Sequence, residues 1–104
     1  MIGNMTVEEL KNKLDNSESI RLIDCREQGE WDEAHIEKAE FMPLSNFADE
    51  MSKLENKEET LILQCRSGKR SLQACMMLQG EGFENLYNLE GGILAWIDSG
   101  YPTV

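Results

Sequence analysis

The sequence predicts an α/β sandwich built on a mostly parallel sheet, and three observations carry that prediction. Short apolar runs at residues 20–24, 41–44, 60–64 and 86–89 alternate with stretches whose apolar residues recur at helical spacing. The run at residues 60–64 (Thr-Leu-Ile-Leu-Gln) carries apolar side chains toward both faces, as a central strand covered on both sides must. Glycines and capping residues punctuate the helical stretches where helices start and stop.

In chain order, the first helix signal runs over residues 5–14. Thr6 and Glu9 have capping-box spacing, Met5 and Leu10 can staple across it, and Val7, Leu10 and Leu14 share one face. Residues 15–19 are a polar break. Residues 20–24 read as a short strand ending in Asp24-Cys25-Arg26-Glu27, and ligand sites in open α/β sheets gather at such ends. Residues 30–35 predict one helical turn anchored by Trp31 and Ile36. Residues 41–44 predict a strand with Pro43 near its end. Leu44, Phe47, Ala48, Met51 and Leu54 follow helical spacing, and residues 55–59 form a solvated turn. After the central strand comes a helix over 71–79, with Leu72, Cys75, Met76 and Gln79 along one side and Ala74 and Leu78 along another. Gly80 and Gly82 end it. A last strand at 86–89 leads through Gly91-Gly92 into a helix carrying Ile93, Leu94, Trp96 and Ile97, closed by Gly100 and Pro102.

At 104 residues the chain is expected to form one domain, residues 1–104, with a single core. No apolar run approaches the roughly 20 residues of a membrane span. The first residues have neither a basic region nor an apolar signal core, so the expectation is a soluble, cytoplasmic protein. Three cysteines, Cys25, Cys65 and Cys75, form no Cys-x-x-Cys pair. They read as free thiols in a reducing compartment, not a disulfide framework or a zinc knuckle, and no metal is expected. Six scattered methionines suggest core filling. The net charge of −10 argues against nucleic acid and anionic membranes as partners.

The distribution of charge is more informative than its sum. Although 20 of the residues are acidic, none falls between Thr60 and Gly80, whereas Arg66, Lys69 and Arg70 lie within five positions there. Cations at a helix start oppose the helix dipole, so helix stability does not explain them, and an anion site does. Cys65 directly follows the central strand and opens the loop Cys65-Arg66-Ser67-Gly68-Lys69-Arg70-Ser71. Unpaired N–H groups at the following helix start would help its thiol ionise.

These residues resemble the single-domain rhodanese family of sulfurtransferases. The resemblance rests on Leu22-Ile23-Asp24-Cys25-Arg26-Glu27; on Glu30-Trp31, Ala34-His35-Ile36, Ala39 and Pro43; on the Cys65 loop; and on Gly82-Phe83-Glu84-Asn85-Leu86 followed by Leu89-Glu90-Gly91-Gly92-Ile93, Ala95-Trp96 and Gly100-Tyr101-Pro102. It implies a three-layer sandwich with a five-stranded sheet. It also implies a cofactor-free transfer of sulfane sulfur from a small anionic donor, thiosulfate or a persulfide, to a thiol or cyanide acceptor through a persulfide on Cys65. Arg66, Ser67, Gly68, Lys69, Arg70 and Ser71 would bind the donor, and Asp24 with Arg26 would shape the pocket floor. Two departures stand out: Cys25 replaces the family's usual apolar residue, and Glu37-Lys38 replaces its usual Pro-Gly.

Cysteine phosphatases of related fold, and arsenate reductases, are the nearest rivals. Those phosphatases place five residues between cysteine and arginine, whereas four separate Cys65 from Arg70, and Gln64 stands where they usually have histidine. The shorter loop suits a single terminal sulfur better than a tetrahedral phosphate. A second class of function is a protein-to-protein sulfur relay or binding module with little activity on small donors. Cys25 is either a resolving thiol for a persulfide or a small core residue, and the core role is the expectation. Cys75 is expected in the core, as are Trp31 and Trp96 in core or rim packing. His35, the only histidine, is expected to make a structural hydrogen bond.

Overall fold

In the computed structural model, which describes residues 1–104, five parallel strands form one sheet in the order β1-β5-β4-β2-β3. The strands are β1 (Ile2–Met5), β2 (Arg21–Asp24), β3 (Ala39–Phe41), β4 (Leu61–Gln64) and β5 (Leu86–Leu89). The helices are α1 (Val7–Asp15), α2 (Gln28–Glu33), α3 (Phe47–Glu50), α4 (Lys69–Gly80) and α5 (Gly92–Asp98), with 3₁₀ turns on either side of α3. None is long and apolar enough to cross a membrane.

β4 lies in the middle, and Leu61, Ile62, Leu63 and Gln64 are all buried. Its alternating side chains feed two separate cores. Leu61, Leu63 and Cys65 pack with Phe47 of α3 and with Ala74, Cys75 and Leu78 of α4. On the opposite face, Ile62 packs with Leu10 of α1 and with Ile93 and Trp96 of α5. Each fully buried side chain of this size contributes about 1.5–3 kcal/mol. Truncating Leu63 to alanine would also leave a cavity, for a total cost of about 2–5 kcal/mol.

α1 carries the expected capping box. Glu9 N–H donates to Thr6 Oγ1 at 3.1 Å, and Thr6 N–H donates to Glu9 Oε1 at 3.1 Å. Two expectations need correction, and the orientation of α4 is settled. A strand precedes α1: Ile2–Met5 pairs with β5 in the register Ile2↔Leu86 to Met5↔Leu89. The strand expected at 41–44 lies at Ala39–Phe41, because Pro43 has no N–H to donate and a 3₁₀ turn begins at Leu44. On α4, Leu72 and Met76 face solvent, and Ser71, Ala74, Cys75 and Leu78 face the sheet.

Candidate functional site

Cys65 follows the C-terminal end of β4, and Gly68 is the N-cap of α4, so the loop between them bridges a strand end and a helix start. The Cys65 sulfur lies inside this turn. Gly68 N–H donates to it at 3.1 Å, and the Ser71 hydroxyl lies 3.3 Å away. Gly68 has φ 109°, a left-handed conformation that glycine adopts without strain.

The loop's carbonyls are held outward, and this turns its N–H groups inward. Cys65 C=O accepts from Ile93 N–H at 2.9 Å and from Gln64 Nε2 at 3.0 Å. Arg66 C=O accepts from Leu94 N–H at 3.2 Å, and Gly68 C=O from Asn88 Nδ2 at 3.0 Å. The first turn of α5 therefore clamps the outside of the loop. Gly92 permits the approach: a Cβ there would overlap the Cys65 and Arg66 carbonyls.

Burial alone would raise the Cys65 thiol, since Cys65 is only 1 % exposed. The Ser71 hydroxyl, and then the N–H groups of Ser71, Gly68 and Ser67, outweigh that penalty and bring it below the ordinary thiol range. The other two cysteines go the opposite way. Burial pushes Cys75 up to about 12, and it raises Cys25 as well.

The three basic side chains have different fates. Arg66 and Lys69 are exposed at the loop surface. Arg70 makes a bidentate ion pair with Glu30 of α2, Nη1 to Oε1 at 2.7 Å and Nη2 to Oε2 at 2.8 Å. That hydrogen-bonded pairing holds the Glu30 carboxyl down at about 2. The stretch without acids in sequence therefore has a carboxylate beside it in space.

Asp24 and Arg26 form a buried pair at the end of β2. Arg26 Nε donates to Asp24 Oδ1 at 3.0 Å, and Nη2 donates to Oδ2 at 2.8 Å. The same guanidinium donates to Ala34 C=O at 2.7 Å and to Glu30 C=O at 3.3 Å, so it ties the strand end to the C-terminal part of α2. His35 stacks on Trp31 with ring centroids 3.7 Å apart, and its Nδ1 lies 3.0 Å from Trp31 C=O. Trp96 is buried and donates to Pro102 C=O at 2.8 Å.

Sequence reasoning passed over Glu30 and Asn88. The Ser71 hydroxyl lies 2.5 Å from Asn88 Oδ1. A signal for Asn88 was present: it is the one amide in the apolar run Leu86-Tyr87-Asn88-Leu89, and an amide buried in a strand needs partners. Glu30 had no such signal, because only the tertiary fold brings it to Arg70.

A groove of about 230 Å³ runs beside the loop, lined by Arg26, Glu33, Arg66, Leu94 and Ile97 among others. Leu94 and Ile97 expose 40 % and 47 % of their surface there.

Comparison with known proteins agrees with this architecture. The sequence profile of the rhodanese-like domain matches residues 6–99. A sulfurtransferase from Allochromatium vinosum is 35 % identical over 104 residues, covering 100 % of this chain and 96 % of that protein. The probable adenylyltransferase/sulfurtransferase MoeZ of Mycobacterium tuberculosis is 36 % identical over 100 residues. That match covers 94 % of this chain but only 25 % of MoeZ, so the chain spans about a quarter of that relative. Among solved structures, the rhodanese-like domain of an Anabaena protein superposes with a TM-score of 0.90 at 28 % identity, covering 100 % of this chain and 80 % of the other.

Proposed function

This chain belongs to the rhodanese-like domain family, and from that premise we propose that it transfers sulfane sulfur, with Cys65 carrying the sulfur as a persulfide. Residues 1–104 act as one sulfurtransferase domain. The Cys65 thiolate attacks the outer sulfur of an anionic donor such as thiosulfate. The donor's sulfur–sulfur bond breaks and sulfite leaves with the electron pair. The new persulfide anion stays under the same inward N–H groups, and an acceptor thiolate or cyanide then takes the outer sulfur and restores Cys65. Ser67, Gly68 and Ser71 hold the negative sulfur. Arg66 and Lys69 draw in the donor, Arg70 adds positive charge from its place beside Glu30, and Asp24 with Arg26 fixes the pocket floor.

One observation carries this reading: a buried cysteine sulfur lies within 3.1 Å of a loop N–H and 3.3 Å of a hydroxyl, with its acidity raised against the trend of burial. Incubation with thiosulfate should add one sulfur to the intact mass, removable by reductant. Cys65→Ser should abolish both the added mass and thiosulfate:cyanide transfer, and Cys75→Ser should keep them. Full transfer by Cys65→Ser would refute the assignment.

A second reading is favoured by the groove: a sulfur relay in which a protein persulfide docks against Arg66, Leu94 and Ile97. Loading of Cys65 by a protein persulfide but not by thiosulfate would select it.

A further inference from the structure

Cys25 has a relation to Cys65 that core filling does not require. Asp24 on β2 and Gln64 on β4 are register partners, and the ladder runs one step further: Cys25 N–H donates to Gln64 C=O at 2.9 Å. Cys25 and Cys65 are thus the next pair on adjacent parallel strands. Such strands lie about 4.8 Å apart, within the Cα separation of about 4.4–6.8 Å that a disulfide spans. Paired residues of parallel strands project to the same face, and both cysteines belong to the core beneath α3 and α4. After burial, the Cys65 sulfur is the largest influence on the Cys25 thiol.

We propose that Cys25 is a resolving thiol, which closes a Cys25–Cys65 disulfide on Cys65 when Cys65 is sulfur-loaded or oxidised and no acceptor arrives. The first route rests on the persulfide reading above. The Cys25 sulfur, once deprotonated, attacks Sγ of Cys65. The Cys25–Cys65 bond forms as the bond from Sγ to the outer sulfur breaks; that sulfur keeps the electron pair, takes up the proton that Cys25 has lost, and leaves as hydrosulfide. Two cysteine sulfurs are oxidised to the disulfide while the sulfane sulfur is reduced to sulfide, so no outside oxidant enters. The second route needs a peroxide. It oxidises the Cys65 thiolate to a sulfenic acid, and Cys25 then displaces the hydroxyl, which leaves with the thiol proton as water. Because Cys25 is buried and protonated at rest, closure is slow beside attack by an exposed acceptor thiolate, and transfer proceeds first when an acceptor is present.

The test uses the full chain in two arms. In one, thiosulfate is added and then removed without an acceptor; in the other, hydrogen peroxide is added. Each sample is blocked with an alkylating agent, and intact mass, sulfide and disulfide-linked peptides are measured. The expected result is a Cys25–Cys65 peptide in both arms, with sulfide released alongside it in the first. The linkage should persist in Cys75→Ser. It should be absent in both Cys25→Ala and Cys25→Ser, two variants of opposite polarity that guard against a folding artefact, and their Cys65 persulfide should outlast that of the parent chain. If Cys65 gains a sulfur but no Cys25 linkage forms in either arm, the resolving role is overturned and sulfur transfer stands. If peroxide yields the linkage while no sulfur donor loads Cys65, the resolving role stands and the sulfur-transfer reading fails.

Discussion

The Ser71 hydroxyl has one proton and two acceptors. Asn88 Oδ1 competes with the Cys65 sulfur for it, and the Asn88 amide is fixed in orientation because its Nδ2 donates to Gly68 C=O. While Cys65 is a thiol, its S–H can donate to Ser71, which donates to Asn88. When Cys65 ionises, the hydroxyl must turn to the sulfur. Ser71→Ala removes that donor, and a hydrogen bond to a charged group is worth about 1.5–3 kcal/mol. The pH midpoint for alkylation of Cys65 should therefore move up, and sulfur loading at neutral pH should slow about tenfold or more. An unmoved midpoint would show that the backbone N–H groups suffice. Glu30→Gln makes a different test. The carboxylate is held down at about 2, so its contribution to stability is fully present above the ordinary carboxylate range and fades only as pH falls toward about 2. The pair is about one-third exposed, and its loss should cost about 1 kcal/mol or less. Freed of its partner, Arg70 should lower the KM for thiosulfate with kcat little changed, a split that steady-state kinetics would resolve.

Among the elements, α5 acts on the loop through its first turn. Its Ile93 and Leu94 N–H groups hold two loop carbonyls, and Gly92, with φ 57°, lets the helix start that close. Gly92→Ala should destabilise the fold by more than about 2 kcal/mol, from a left-handed conformation and a clash with backbone. It should also weaken sulfur loading in the fraction that remains folded, read by thermal denaturation and intact mass together. The elements were unequally readable in the sequence. β4 and the Cys65 loop were legible because local patterning specifies them: an apolar run, then glycine, serine and basic residues. β1 was not, since Ile2-Gly3-Asn4-Met5 has no strong strand preference and becomes a strand only by pairing with β5. The sequence offers two sides of α4 without deciding between them, because Leu72 and Met76 are apolar yet outward, and hydrophobicity alone does not say which side the sheet lies on. At the site, Arg70's position in the loop was legible, but the carboxylate that holds it was not, because Glu30 lies 40 positions away in sequence.

At the scale of the whole molecule, a positive loop sits on a body of net charge −10 measuring 35 × 29 × 20 Å. Charges screen over about 30 Å at 0.01 M salt and about 8 Å at 0.15 M. In dilute buffer the entire surface repels an approaching dianion, whereas at higher salt only the residues near the loop act on it. The kcat/KM for thiosulfate should accordingly rise as salt increases over that range, and a steady fall would indicate that Arg66 and Lys69 dominate even at long range. The position of β1 beside β5 has a consequence for the making of the protein. Ile2 has no strand partner until Leu86 exists, and Asn88, Ile93 and Leu94, which shape the loop, come later still. A chain still being synthesised thus carries the Cys65 loop without these three groups, which hold its carbonyls outward. The loop gains that outer support only once β5 and the first turn of α5 have been made and have packed against it.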